Sequence, residues 1–221
     1  FESGENHPVQ DNDEMCGVCH KPTGDEYDFS VAGSHTVDYQ SAQLGGFLVD
    51  LVEIRDTDPG DRPTVVFTMK SKSGPLQPAQ LDRLRIVISG PNTDFAYYNQ
   101  ENPLGSMTWN GSAWTYRFVE ALPQDAMGSF SVGFEGRLNA TINAGQPNEF
   151  SMRDQMQNFI EPFTVTDDAV MSRRVVVDDA KCESCHGNLS LHGSNRHDAN
   201  GYCQTCHNPS LTDEDVRPEG T

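Results

Sequence analysis

All six cysteines of the 221-residue chain fall into three pairs with two residues between them, and a histidine follows each pair at once. The motifs are Cys16-Gly-Val-Cys19-His20, Cys182-Glu-Ser-Cys185-His186 and Cys203-Gln-Thr-Cys206-His207. A C-x-x-C-H motif is an attachment site for c-type haem: the two thiols bond the porphyrin edge and the adjoining imidazole reaches the iron. The spacing therefore predicts three covalently bound haem c groups, with Cys16, Cys19, Cys182, Cys185, Cys203 and Cys206 as attachment points. His20, His186 and His207 are the proximal iron ligands. Any fold for this chain must make room for three large planar cofactors.

Other uses of paired cysteines fit less well. A disulfide within each pair leaves the three histidines unexplained. Zinc would take Cys182, Cys185, Cys203 and Cys206 as a ribbon, but the first pair stands far away in sequence and both adjoining histidines would be idle. A thioredoxin-like pair needs a flanking βαβ pattern, and the surrounding stretches are short and polar.

Seven histidines occur in the chain, so four remain after the proximal ligands: His7, His35, His192 and His197. These are the candidate distal ligands for three irons. Methionine is the rival, through Met15, Met152, Met156 or Met171, and would raise the reduction potential. Two histidines on each iron close the coordination sphere, which favours electron transfer over substrate binding at the metal.

Asp and Glu outnumber Lys and Arg by 33 to 15, giving a formal charge of −18. Such a surface repels nucleic acid and anionic headgroups, so neither is an expected partner. No window approaches the ~20 apolar residues of a membrane-spanning helix, and the first residues lack the pattern of a signal peptide.

Between the haem motifs, from residue 42 to 166, the chain alternates apolar and polar residues between turn signals. Strands are expected at Phe47 to Arg55, Thr64 to Lys70, Arg83 to Ser89, Phe95 to Tyr98, Ala113 to Val119, Ser129 to Arg137 and Phe159 to Val165. Asn110-Gly111 between Trp109 and Trp114 predicts a hairpin. Tyr116, Phe118, Phe130, Val132 and Phe134 are expected to face the core. Ser151 to Gln157 reads as a short helical or loop excursion. Three Asn-x-Ser/Thr triplets and acidic pairs such as Asp178-Asp179 carry no assigned role. The fold class is thus mainly β, a Greek-key split barrel or sandwich over 42–166. Irregular, short-helical haem segments flank it, 1–41 with one haem and 167–221 with two.

With these motifs placed, the chain resembles the OmcA/MtrC family of outer-surface multihaem cytochromes. The resemblance rests on Gly33-Ser-His35-Thr-Val-Asp-Tyr-Gln40, on Cys182-Glu-Ser-Cys-His-Gly-Asn-Leu-Ser-Leu-His192-Gly193, on Asn195-Arg196, and on the run from Cys203 through Asn208-Pro209 to Val216-Arg-Pro-Glu-Gly220. It implies that His192 is a distal ligand and that the β region is a split barrel beside the haems. It also implies delivery of electrons outside the cell to metal oxides, flavins or other cytochromes. Family members usually continue into more haem motifs and a second barrel, so three haems stand where about ten are usual.

The expected function is extracellular electron transfer by an electron carrier rather than an enzyme, secreted or held at the outer cell surface without membrane insertion. Other copies of the chain, other cytochromes and extracellular acceptors are the expected partners. With haems on both sides of the β region, head-to-tail contact between copies would build a conductive filament, in which His7 and His197 could serve a neighbouring copy. The alternatives are a surface reductase of metal or small inorganic substrates, or a fragment of a larger decahaem cytochrome. A third reading makes the β region a partner-binding module with the haems as relays.

Overall fold

The computed structural model describes residues 14–176, 178, 180–181, 184, 189–196 and 201–211. Its backbone forms two compact units, residues 1–42 and 43–221.

In the first unit, Cys16 to Cys19 make a single helical turn, α1, and Val31 to Ser34 make a second, α2. Asp28 organises the entry to α2. Its carboxylate accepts the backbone N–H groups of Asp25 (2.9 Å) and Ser30 (2.8 Å) and the Ser30 hydroxyl. Ser30 Oγ in turn accepts Gly33 N–H (2.9 Å) as the N-cap of α2. Gly33 is required here, because a Cβ would lie 2.1 Å from Asp28 Oδ1 and 2.3 Å from the Asp25 carbonyl.

The second unit is a sandwich of two antiparallel sheets. The first sheet orders β1 (Leu48–Arg55), β2 (Thr64–Ser71), β7 (Trp114–Arg117) and β6 (Thr108–Trp109), with β3 (Gly74–Pro75) also on β2. The second orders β10 (Phe159–Thr164), β8 (Ser129–Ile142), β4 (Arg83–Gly90) and β5 (Tyr97–Glu101), with β9 (Phe150–Gln155) on the far half of β8. The mainly β expectation holds, and the sheets do not close into a barrel.

Alternation along β2, β4 and β8 builds the core: Val65, Phe67 and Met69 meet Leu84, Ile86, Ile88, Phe130, Val132 and Phe134. Phe67 and Phe134 pack across the sheets with ring centroids 5.2 Å apart. The five residues expected to face the core are all buried. The Asn110-Gly111 hairpin forms with Trp109 opposite Trp114, through a four-residue loop in which Asn110 Oδ1 accepts the Ser112 and Ala113 N–H groups, both at 2.9 Å.

Residues 151–157 correct the expectation of a helical or loop excursion. They fall largely within β9, which pairs with β8 from Arg137–Gln155 to Ile142–Phe150. The strand was illegible because Ser151-Met-Arg-Asp-Gln155 carries few apolar residues; its ladder and its contacts with later chain hold it. β9 and β10 run along one edge of β8, interrupted where Met156 N–H bonds the Gly136 carbonyl (2.8 Å) and Asn158 Nδ2 bonds the Phe134 carbonyl (3.1 Å). Among the described residues, no helix is long and apolar enough to cross a membrane.

Candidate haem sites

Eight residues of β8, Ser129 to Gly136, are buried without a break, which an ordinary half-exposed strand would not show. One face of this strand supplies Phe130, Val132 and Phe134 to the core. The other presents Ser131, Gly133 and Glu135, and the C-terminal segment covers it. Tyr202, 2% exposed, lies over Gly133, where a Cβ would stand 3.0 Å from the tyrosine ring. The described parts of the C-terminal segment, Leu191 to Arg196 and the turn at Tyr202, are therefore packed onto the outer face of the second sheet.

Leu191 to Arg196 form a closed loop on this face. Leu191 N–H donates to the Arg196 carbonyl (2.9 Å), while Asn195 Nδ2 holds the His192 carbonyl (2.6 Å). His192, Gly193 and Ser194 are three consecutive left-handed residues, φ 54°, 73° and 62°. For the two that carry a Cβ this conformation costs about 1–2 kcal/mol each. Sheet side chains offset the cost. Arg137 Nη1 donates to the Gly193 carbonyl (2.7 Å) and to Asn195 Oδ1 (2.8 Å), and Arg153 Nη1 donates to the same Gly193 carbonyl (2.8 Å). Ser190 Oγ bonds Gln155 of β9.

The Cys203 motif follows on a short 3-10 turn, Tyr202–Thr205. His207 N–H closes that turn on the Cys203 carbonyl (2.8 Å). The turn brings the His207 ring to the His192 ring, with centroids 6.1 Å apart and planes inclined by 34°. Two imidazoles bonded to one metal at about 2.0 Å each, with each ring centre about 1.1 Å behind its nitrogen, stand about 6.2 Å apart. The observed separation fits one iron between them. Burial, with the positive charge of Arg196 and the His207 ring nearby, lowers the His192 pKa and favours the neutral form that ligates metals. Cys203 and Cys206 are half-buried, and they form no disulfide. Tyr98 of β5 sits beside Cys206: burial, then a hydrogen bond with the Cys206 thiol, raises its hydroxyl pKa well above the ordinary value.

The first unit offers a second site. The His20 ring nitrogen Nδ1 lies 2.8 Å from the Phe29 carbonyl, and His35 Nδ1 lies 2.7 Å from the Val31 carbonyl. A carbonyl only accepts, so each Nδ1 carries a proton, which leaves Nε2 as the nitrogen that would ligate a metal. Met15, Val18, Phe29, Val31 and Val37 are all exposed large apolar side chains in this unit. The described side chains buried here, Ser30 and Ser41, are polar. Apolar side chains around a C-x-x-C-H turn fit a porphyrin face.

The structure thus brings His192 and His207 together and gives His20 and His35 matching Nδ1 anchors. His7, Cys182, Cys185, His186 and His197 lie outside the described residues. Of the rival methionines, Met156 is fully buried in the sandwich core, whereas Met15 and Met171 are exposed. Sequence reasoning assigned nothing to Glu135, Arg137 and Arg153, because charged residues on alternate strand positions read as a solvent face. The one available signal was the density of charge in Glu135-Gly-Arg137, two residues apart on one face.

Residues 174–220 match the family model described as outer membrane cytochrome MtrC/MtrF-like, domains II/IV. Among solved structures, the chain is similar to the crystal structure of the outer membrane decaheme cytochrome OmcA, at 20% identity and a TM-score of 0.49. That likeness covers 77% of this chain and 29% of the other. No curated protein matches.

Proposed function

We propose, for a chain whose residues 174–220 match the MtrC/MtrF-like model of outer membrane cytochromes, that it is a tri-haem electron carrier with histidine on both sides of its irons. The observation that carries this reading is the approach of the His192 and His207 rings to 6.1 Å between centroids, beside the Cys203–Cys206 pair. Bound haem supplies one-electron redox chemistry; the protein holds each group and closes its iron to substrates.

In this reading Cys203 and Cys206 would hold one haem, with His207 and His192 as the residues that would ligate its iron. Cys16 and Cys19 hold another, with His20 proximal and His35 distal. Cys182 and Cys185 hold the third, with His186 proximal and either His7 or His197 as candidate distal ligand. The family match supports a place at the outer cell surface, with other cytochromes or extracellular oxidants as redox partners. Head-to-tail assembly into a filament extends the reading, and electron microscopy of the native material tests it: uniform filaments support assembly, and discrete particles remove it.

The test of the carrier reading is the haem content and spin state of the holoprotein. Three haems per chain, all six-coordinate and low-spin, are expected. A stoichiometric five-coordinate haem would instead favour a reductase with an open iron.

A further inference from the structure

Asn195-Arg196 is among the stretches that carry the family resemblance, and ligation alone gives Arg196 no role. Its partner is Glu135, whose side chain is 0% exposed although it sits on the face of β8 turned away from the core. Both carboxylate oxygens are used. Oε1 accepts from Arg83 Nη2 (2.8 Å) and Nε (3.2 Å), and Oε2 accepts from Arg196 Nε (2.8 Å) and the Tyr202 hydroxyl (3.1 Å). Arg196 closes the loop that carries His192, and Tyr202 immediately precedes Cys203 on the turn that ends in His207. One carboxylate in a central strand therefore ties together the two segments whose imidazoles lie 6.1 Å apart.

We infer that Glu135 is a positioning residue for haem ligation, fixing His192 and His207 at the separation at which one iron takes both. The inference rests on the reading of these two histidines as ligands of the same haem. The chemistry requires a carboxylate. Glutamine has one acceptor oxygen, so its NH2 group would face either the Arg83 or the Arg196 guanidinium, donor against donor. Aspartate has both oxygens but is one methylene too short to reach both sets of donors at once.

The test uses the holoprotein and its Glu135→Gln, Tyr202→Phe and His192→Ala variants, read by low-temperature ferric spectra and carbon monoxide binding to the reduced form. In Glu135→Gln, one haem of the three is expected to lose its low-spin signal in a sizeable fraction of molecules and to bind carbon monoxide, while the other two keep their spectra and potentials. Tyr202→Phe removes a single donor and is expected to affect the same haem in a smaller fraction. Three fully low-spin haems with unchanged potentials in both variants would overturn the inference. If Glu135→Gln does not fold, Tyr202→Phe decides alone. His192→Ala should convert one haem completely. If it leaves all three low-spin, the ligand reading has failed, and the positioning role falls with it.

Discussion

The imidazoles of His192 and His207 stand with ring centroids 6.1 Å apart and planes inclined by 34°, although the two residues belong to separate hydrogen-bonded turns. Both are fastened to the outer face of one sheet, and each of the following expectations addresses that fastening or the core beneath it.

Removing His192 should open one iron. His192→Ala is expected to give a carbon monoxide complex at one haem per chain, whereas the wild type gives none. Quantitative titration of the reduced protein against haem content checks the ratio, and no uptake by the variant would remove His192 from the ligand set.

The Glu135 cluster makes the ligand site sensitive to acid. Burial pushes the Glu135 carboxyl up, but hydrogen bonds from Arg196 and Arg83 outweigh it and hold the group below its ordinary value of 4.5. A depressed folded pKa means that the unfolded chain binds more protons, so the stabilisation is complete above that ordinary value. It is lost as pH falls through the folded value. Asp154 acts in the opposite sense, because burial raises its carboxyl. Melting temperatures of wild type and Glu135→Gln across the acid range separate the two: their difference should shrink as pH falls. A constant difference would contradict the assignment.

Gly133 leaves the space that Tyr202 fills. An added Cβ would meet the Tyr202 ring, the Ile160 side chain and the Phe159 carbonyl, each at 3.0 Å. Gly133→Val should therefore destabilise by about 1–3 kcal/mol through overpacking. It should also disturb the spectrum of the Cys203–Cys206 haem alone, since the displaced tyrosine adjoins that motif. Denaturant unfolding followed separately at the protein and haem absorption bands measures both effects.

Phe134 joins the sheets from the core face of the same strand, contacting Phe67 at 5.2 Å and Phe159 at 5.4 Å between ring centroids. Phe134→Ala should cost about 3–5 kcal/mol. Because the loss is in the sandwich and not at a haem, the folded fraction should keep wild-type haem spectra. Chemical unfolding with spectra taken below the transition tests this.

Most of the sandwich, and the C-x-x-C-H pattern on which haem attachment is proposed, are legible in the sequence for different physical reasons. Thiol pairs followed by histidine are a local covalent pattern, readable without a fold. Strands such as Thr64 to Lys70 declare themselves through apolar alternation, and Phe130, Val132 and Phe134 were assigned correctly to the core. β9 escaped because its pairing along β8 stabilises a polar stretch that has no periodicity. Glu135 escaped because burial of an outer sheet face depends on residues more than 60 positions away in the chain. Its partners Arg196 and Tyr202 sit in a loop and a turn whose placement no local pattern announces. His20 and His35 were legible as residues, while the Nδ1 bonds to Phe29 and Val31 that orient them were not.

The proposed state of this chain, three haems with each iron closed by two histidines, is tested by the intact mass of the holoprotein together with its low-temperature ferric electron paramagnetic resonance spectrum. A chain bearing three haems is expected, with low-spin signals that integrate to all of the iron. Fewer than three attached haems, or a stoichiometric high-spin signal in the native protein, would contradict it.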